Sequence, residues 1–225
     1  MVSLITEGRA VDKKGRRFVR RRHQPWVALV AILALLSAVV WIKACTTGNT
    51  THSAMACNTP SPASEPNSPQ PAPLGERVSP DRIHDVEPAA LAQAKVRVLN
   101  GSGQRGLAEH IASQLGDFGY ATPPAPVYGN DPVYVNGDME CTGQIRFGAS
   151  GRPAAAAVQL VAPCAELIED QRQDDTVDLA LGSLFGNDLQ PGPDAEEVLR
   201  ALKNPGPDGP KVDSDLLSAA RTARC

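Results

Sequence analysis

The sequence predicts an α+β fold, a small sheet with two helices packed on one face. A single transmembrane helix and a disordered Pro-rich linker precede it. Three observations carry this reading. Residues 26–42 form an uncharged apolar run, residues 44–90 are rich in Pro, Ser, Thr and Ala, and beyond residue 94 short β-branched segments alternate with helix-period ones. Composition limits the rest. The 225 residues hold 20 Pro and 19 Gly but only 4% aromatics, too few to furnish a large core, so a big multidomain enzyme is excluded.

Charge is unevenly spread. Residues 1–25 carry eight basic residues (Arg9, Lys13, Lys14, Arg16, Arg17, Arg20, Arg21, Arg22) and two acids (Glu7, Asp12). That is +6, and the net charge of -3 leaves -9 for the remaining chain. A basic tip on an acidic body does not suit nucleic acid, and no nucleic-acid partner is expected. It does suit a membrane crossing. The run WVALVAILALLSAVVWI would span roughly 25 Å as a helix. Trp26 and Trp41 sit at its two ends, where indoles prefer the interface, and Lys43 follows it. The arginines on the N-terminal side place residues 1–25 in the cytoplasm, 26–43 in the plasma membrane as a single pass, and everything after them outside. A cleaved signal peptide fits less well, because its basic region would be long and no small-x-small site follows.

The linker, 44–90, contains Pro60, Pro62, Pro66, Pro69, Pro71, Pro73, Pro80 and Pro88 and few large apolar residues. Such a stretch buries too little to offset its ordering entropy. It reads as an extended spacer with a reach of up to ~100 Å.

The folded domain is assigned to 91–188. Residues 95–99 (KVRVL) alternate as a strand, and a Gly-rich turn leads into 107–118, where apolar residues repeat on one helix face until Gly119 stops it. Residues 133–135 are a short edge strand, 143–147 (GQIRF) a strand, and 153–161 a helix opened by Pro153. Two final strands follow at 164–168 and 177–181. The tail, 189–225, holds short helices at 194–203 and 214–224.

Gly101-Ser102-Gly103-Gln104-Arg105-Gly106 matches G-x-G-x-x-G between a strand and a helix, the setting of a dinucleotide fingerprint. The acid required about 20 residues on is missing, where the chain reads Thr122-Pro123-Pro124-Ala125-Pro126. Asn100, Gly101, Ser102, Gly103 and Gly106 are therefore read first as a tight turn, with glycines supplying positive φ. The second reading makes them a binding loop for a phosphate or polyprenyl-phosphate sugar, or part of a catalytic domain. The histidines lack metal-ligand spacing, no C-x-x-C or G-x-S-x-G occurs, and the acids at 166–178 read as a solvated turn. No catalytic residue, metal or cofactor is expected.

Val96-x-Val98-Leu99-Asn100-Gly101-Ser102-Gly103-x-x-Gly106-Leu107-Ala108, continued by Ala112, Leu115 and Gly119-Tyr120, resembles the signature of the LytR C-terminal domain family. The resemblance implies a non-catalytic role in cell-envelope integrity, with other envelope proteins or peptidoglycan and its glycopolymers as partners. The phosphotransferase domain that often precedes this module has no counterpart here. Cys141 and Cys164 are the two cysteines inside the folded part and flank a strand–helix unit. In an oxidising compartment they are expected to pair, closing a loop of about 23 residues worth roughly 3 kcal/mol. The pairing of Cys45, Cys57 and Cys225 stays open.

Overall fold

The computed structural model describes residues 24–46, 56–64, 69–206 and 209–222. The chain divides into two compact units, 1–49 and 50–225. In the first, α1 (Gln24–Thr46) is a single helix of 23 residues. Its side chains are described over 25–38, and all are exposed. Among the described residues no helix is long and apolar enough to cross a membrane.

The second unit is an α+β fold around a six-stranded mixed sheet in the order β1-β5-β4-β6-β2-β3. The strands are β1 (Glu76–Val78), β2 (Val96–Asn100), β3 (Tyr128–Asn130), β4 (Gly143–Phe147), β5 (Glu166–Glu169) and β6 (Val177–Leu181). β2 runs parallel to β3 and β6, and β4 runs parallel to β5. β4 is antiparallel to β6, and β1 to β5.

The strands' period-2 alternation divides their side chains between two faces. Val96, Val98, Ile145, Phe147, Leu167, Val177, Leu179 and Leu181 share one buried cluster with the helices. Those helices are α2 (Asp81–His84), α3 (Leu107–Phe118), α4 (Arg152–Gln159), α5 (Pro193–Lys203) and α6 (Ser214–Ala220). α3 follows its predicted bounds because its signals are local. Leu107, Ala108, Ile111 and Leu115 fall on one face, and Gly119 at φ 105° ends the helix with its N–H on the Leu115 and Gly116 carbonyls. α4 carries Pro153 in its first turn, and its small residues 154–157 let the helix approach closely enough for Tyr120 Oη to donate to the Ala157 carbonyl at 2.7 Å. Burial raises the Tyr120 phenol pKa well above its ordinary value.

The opposite face departs from expectation. Leu99 and Ala180 pack there against Cys57, Val133, Tyr134, Met139 and Cys141, with Ala72 and Leu74 alongside. Much of the range read as a disordered linker is therefore part of the domain. Asn58 Nδ2 donates to the Asp138 carbonyl at 2.9 Å, and the Glu140 N–H donates to Asn58 Oδ1 at 2.7 Å. Tyr134 Oη donates to the Asn58 carbonyl at 2.5 Å, and Ala72 N–H to Pro132 O at 2.8 Å. Residues 76–78 then add β1 to the sheet edge. This strap lies across the sheet, held by a disulfide, by polar bonds and by packing of Cys57, Ala72 and Leu74 into the cluster on this face. Residues 47–55 and 65–68 of the expected linker lie outside the described residues, as do residues 1–23 of the basic tail.

The disulfide differs as well. Cys141 pairs with Cys57, 84 residues away with Cα atoms 4.9 Å apart, and not with Cys164. The sheet explains this. Cys141 belongs to the strap-side cluster, whereas Cys164 follows α4, whose buried residues sit in the helix-side cluster. Cys164 is itself disulfide-bonded, so its partner is a cysteine other than these two. The third strand is also displaced. Residues 133–135 form no strand, because Val133 and Tyr134 are buried under the strap, and 128–130 pair with β2 in their place.

Candidate functional site

The 100–106 loop leaves the carboxyl end of β2 and enters α3. The Asn100 and Ser102 side chains are spent on the loop's own shape. Asn100 Oδ1 accepts from Ser102 N and Oγ at 3.1 and 3.0 Å, while Asn100 Nδ2 donates to the Gln104 carbonyl at 2.7 Å. Ser102 Oγ in turn accepts from Gln104 N at 3.2 Å. Gly103 and Gly106 take φ of 72° and 80°, the left-handed region that glycine enters without a Cβ clash. Gly106 caps α3 with no side-chain bond.

Gly101 is constrained from below. A Cβ there would lie 2.9 Å from Met139 Cε and 3.2 Å from Asp131 Oδ2 and the Leu181 carbonyl. Gly101→Ala should therefore destabilise the second unit by about 1–3 kcal/mol through overpacking. Urea denaturation checks this, and an unchanged midpoint would mean that the floor of the loop yields freely.

That floor is a buried polar network. Arg146 Nη1 and Nη2 donate to the two oxygens of Asp131, both at 2.7 Å, with side-chain exposures of 5% and 0%. Arg146 also donates to Gln144 Oε1, from Nε at 3.0 Å and Nη2 at 2.8 Å, and its guanidinium lies 5.9 Å from the Tyr134 ring centroid. Gln144 Nε2 donates to Glu166 Oε2 at 2.9 Å, and Asp131 Oδ1 accepts the Val133 N–H at 2.8 Å. Burial raises the Tyr134 pKa, an effect that the nearby Arg146 charge opposes.

Two clefts flank the loop. One of about 470 Å³ lies between it and the 134–137 turn, and one of about 280 Å³ runs to Glu109 and Tyr128. They share Asn100, Gly106 and Asn130. A cleft of about 660 Å³ on the β1 side is lined by Glu76, Arg82, Glu169 and Asp170. There Glu169 is already neutralised, receiving Arg82 Nε at 2.8 Å and Arg152 Nη2 at 2.5 Å. Partial burial alone would raise its pKa, but the two arginines outweigh that and hold it below the usual carboxylate value.

The acids read as one solvated run are dispersed among ion pairs and turns. Glu166 meets Arg77 at 2.9 Å, Asp170 and Asp178 each meet Arg172 at 2.7 Å, and Asp175 meets Lys95 at 3.0 Å. Asp174 accepts the Thr176 N–H. His110 is exposed on α3 and bonds Asp188 at 3.1 Å. Among the described residues no His, Cys, Asp and Glu group could hold a metal ion.

Sequence reasoning found the loop but not its surroundings. The 134–137 turn, Tyr128, Asn130 and the Asp131–Arg146 pair reach it only through tertiary structure. One trace was visible, an arginine inside the otherwise uncharged strand GQIRF.

The chain belongs to the LytR_C family, "LytR cell envelope-related transcriptional attenuator", which residues 93–185 match. Within it the chain is similar to the cell envelope integrity protein Cei of Mycobacterium tuberculosis, at 44% identity over 225 residues and 100% of both chains. It is also similar to the crystal structure of the soluble domain of a conserved hypothetical secreted protein from Mycobacterium marinum. That match has a TM-score of 0.62 and 45% identity, and covers 68% of this chain and 100% of the other.

Proposed function

We propose that this chain is a membrane-anchored, extracytoplasmic, non-enzymatic module that contributes to cell-envelope integrity by binding envelope proteins or cell-wall glycan. The full-length likeness to a cell envelope integrity protein carries the reading. The Cys57–Cys141 disulfide supports export, since such bonds persist in oxidising compartments. The arginine-flanked apolar helix α1 supports a single anchor with its N-terminus in the cytoplasm. With Cys57 bonded to Cys141, Cys57 belongs to the folded domain and not to a spacer.

The phosphate-binding alternative is weaker on this geometry. Asn100 and Ser102 already satisfy one another, and Glu109 places a carboxylate in the first turn of α3, where an anion would sit.

Deletion in the native host should raise sensitivity to detergents and cell-wall antibiotics, and the full chain should restore resistance. A version in which a cleavable export signal replaces residues 1–46 should fail to restore it. Unchanged sensitivity after deletion would defeat the envelope role, and full rescue by the released form would defeat the anchor.

A further inference from the structure

The described surface of the second unit is poor in apolar anchors. Outside α1, only Tyr128 (45% exposed) and Leu184 (69%) are large, apolar and exposed among the described residues. Two isolated side chains do not make the apolar patch on which protein interfaces usually centre. Tyr128 instead lines a cleft together with Asn100, Glu109 and Asn130. The Glu109 charge raises the Tyr128 pKa. Asn130 and Arg105 line the same connected clefts, and neither side chain has a hydrogen-bond or ion-pair partner among the described residues.

This combination has a recognisable chemistry. A sugar ring offers a C–H-rich face to an aromatic ring, and its hydroxyl and acetamido groups pair with a planar amide. A guanidinium takes a carboxylate in a charge-assisted, two-pronged bond. The clefts, about 280 and 470 Å³, lie near or within the ~300–1,000 Å³ range of small-molecule sites. The Glu109 carboxylate beside Tyr128 works against a multiply charged phosphate but not against a sugar with one carboxylate further along at Arg105. An added peptide strand is a poorer fit, because β3 offers an edge of only three residues with Pro126 just before it.

We propose that the cleft across the 100–106 loop binds an acidic oligosaccharide. A sugar face would lie on Tyr128, polar substituents on Asn130 and a carboxylate on Arg105. The proposal deepens the envelope reading and rests on it only for the source of the glycan.

The test uses the full chain in nanodiscs, titrated calorimetrically with a hyaluronan hexasaccharide, which carries carboxylates, and with chitohexaose, which is neutral. The hyaluronan oligomer should bind about tenfold more tightly. Arg105→Ala should abolish that preference while leaving chitohexaose binding unchanged. Tyr128→Ala should weaken both by about tenfold or more, and Tyr128→Phe, which keeps the ring, should bind both. The three positions are exposed, and thermal melts check that the variants fold. Absence of binding to either oligomer at millimolar concentration would overturn the site. So would affinities indifferent to Tyr128→Ala, or displacement of the sugars by inorganic phosphate at equal concentration. Sugar binding without a deletion phenotype would defeat the envelope reading and keep the site, whereas a phenotype rescued fully by the Tyr128→Ala, Arg105→Ala chain would defeat the site's role and keep the envelope reading.

Discussion

Replacing Cys57 and Cys141 together by serine should cost the second unit about 4.5 kcal/mol, the chain-entropy value for a loop of this length. The disulfide joins positions 84 residues apart, so it removes more freedom from the unfolded chain than the 23-residue loop first expected. That loss is a large share of the 5–15 kcal/mol typical of a whole domain. The effect should also be local before it is global. Cys57 anchors a strap whose other fastenings are the hydrogen bonds of Asn58 and Ala72 and the packing of Ala72 and Leu74. Hydrogen exchange should show residues 56–64 losing protection first, while α3 and β6 keep theirs. The double substitution is the cleaner test, because a reductant would also cleave the disulfide at Cys164. A change of less than about 1 kcal/mol would show that the strap is held without its covalent link.

The strap also marks the boundary of what sequence could reveal. α3, β4 and β6 were readable because their signals are local, namely a 3.6-residue apolar stripe with a glycine stop and short alternating β-branched runs. The strap carries no such signal. Its stretch is proline-rich and weakly apolar, which is the composition of disorder. Cys57 and Asn58 find partners some 80 residues later, and composition says nothing about that. The mistaken Cys141–Cys164 pairing has the same origin. Proximity along the chain suggested it, while the sheet sorts these two cysteines into different clusters. Residues 133–135 show the converse error. Val-Tyr-Val has the pattern of a strand, yet its residues satisfy that pattern by burying Val133 and Tyr134 under the strap. At the candidate site the loop was legible from its glycines. The groove was not, since Tyr128, Asn130 and the 134–137 turn meet the loop only in the folded chain.

Arg146→Ala should destabilise the second unit by about 3–5 kcal/mol, because it leaves the fully buried Asp131 carboxylate without its two guanidinium donors. Asp131→Ala should cost a comparable amount, leaving the guanidinium with Gln144 as its remaining acceptor. The two losses should not add. With Asp131→Leu and Arg146→Met combined, no charge remains to be desolvated, and the double variant should recover most of the stability lost by either single change. Urea titrations of the wild type, Asp131→Leu, Arg146→Met and the double variant measure the coupling directly, and strict additivity would mean that the bidentate contact is energetically idle. A second readout separates stability from positioning. Asp131 Oδ2 sits where a Cβ on Gly101 would touch it, so the pair forms the underside of the 100–106 loop. In the apolar double variant the fold should persist while amide resonances of 101–106 and 134–137 shift. The introduced leucine and methionine side chains would reproduce the volume of the pair but not its hold on the Val133 N–H and the Gln144 side chain. If those resonances stay in place, the loop is set by Asn100 and Ser102 alone, and the buried charges serve only the packing beneath it.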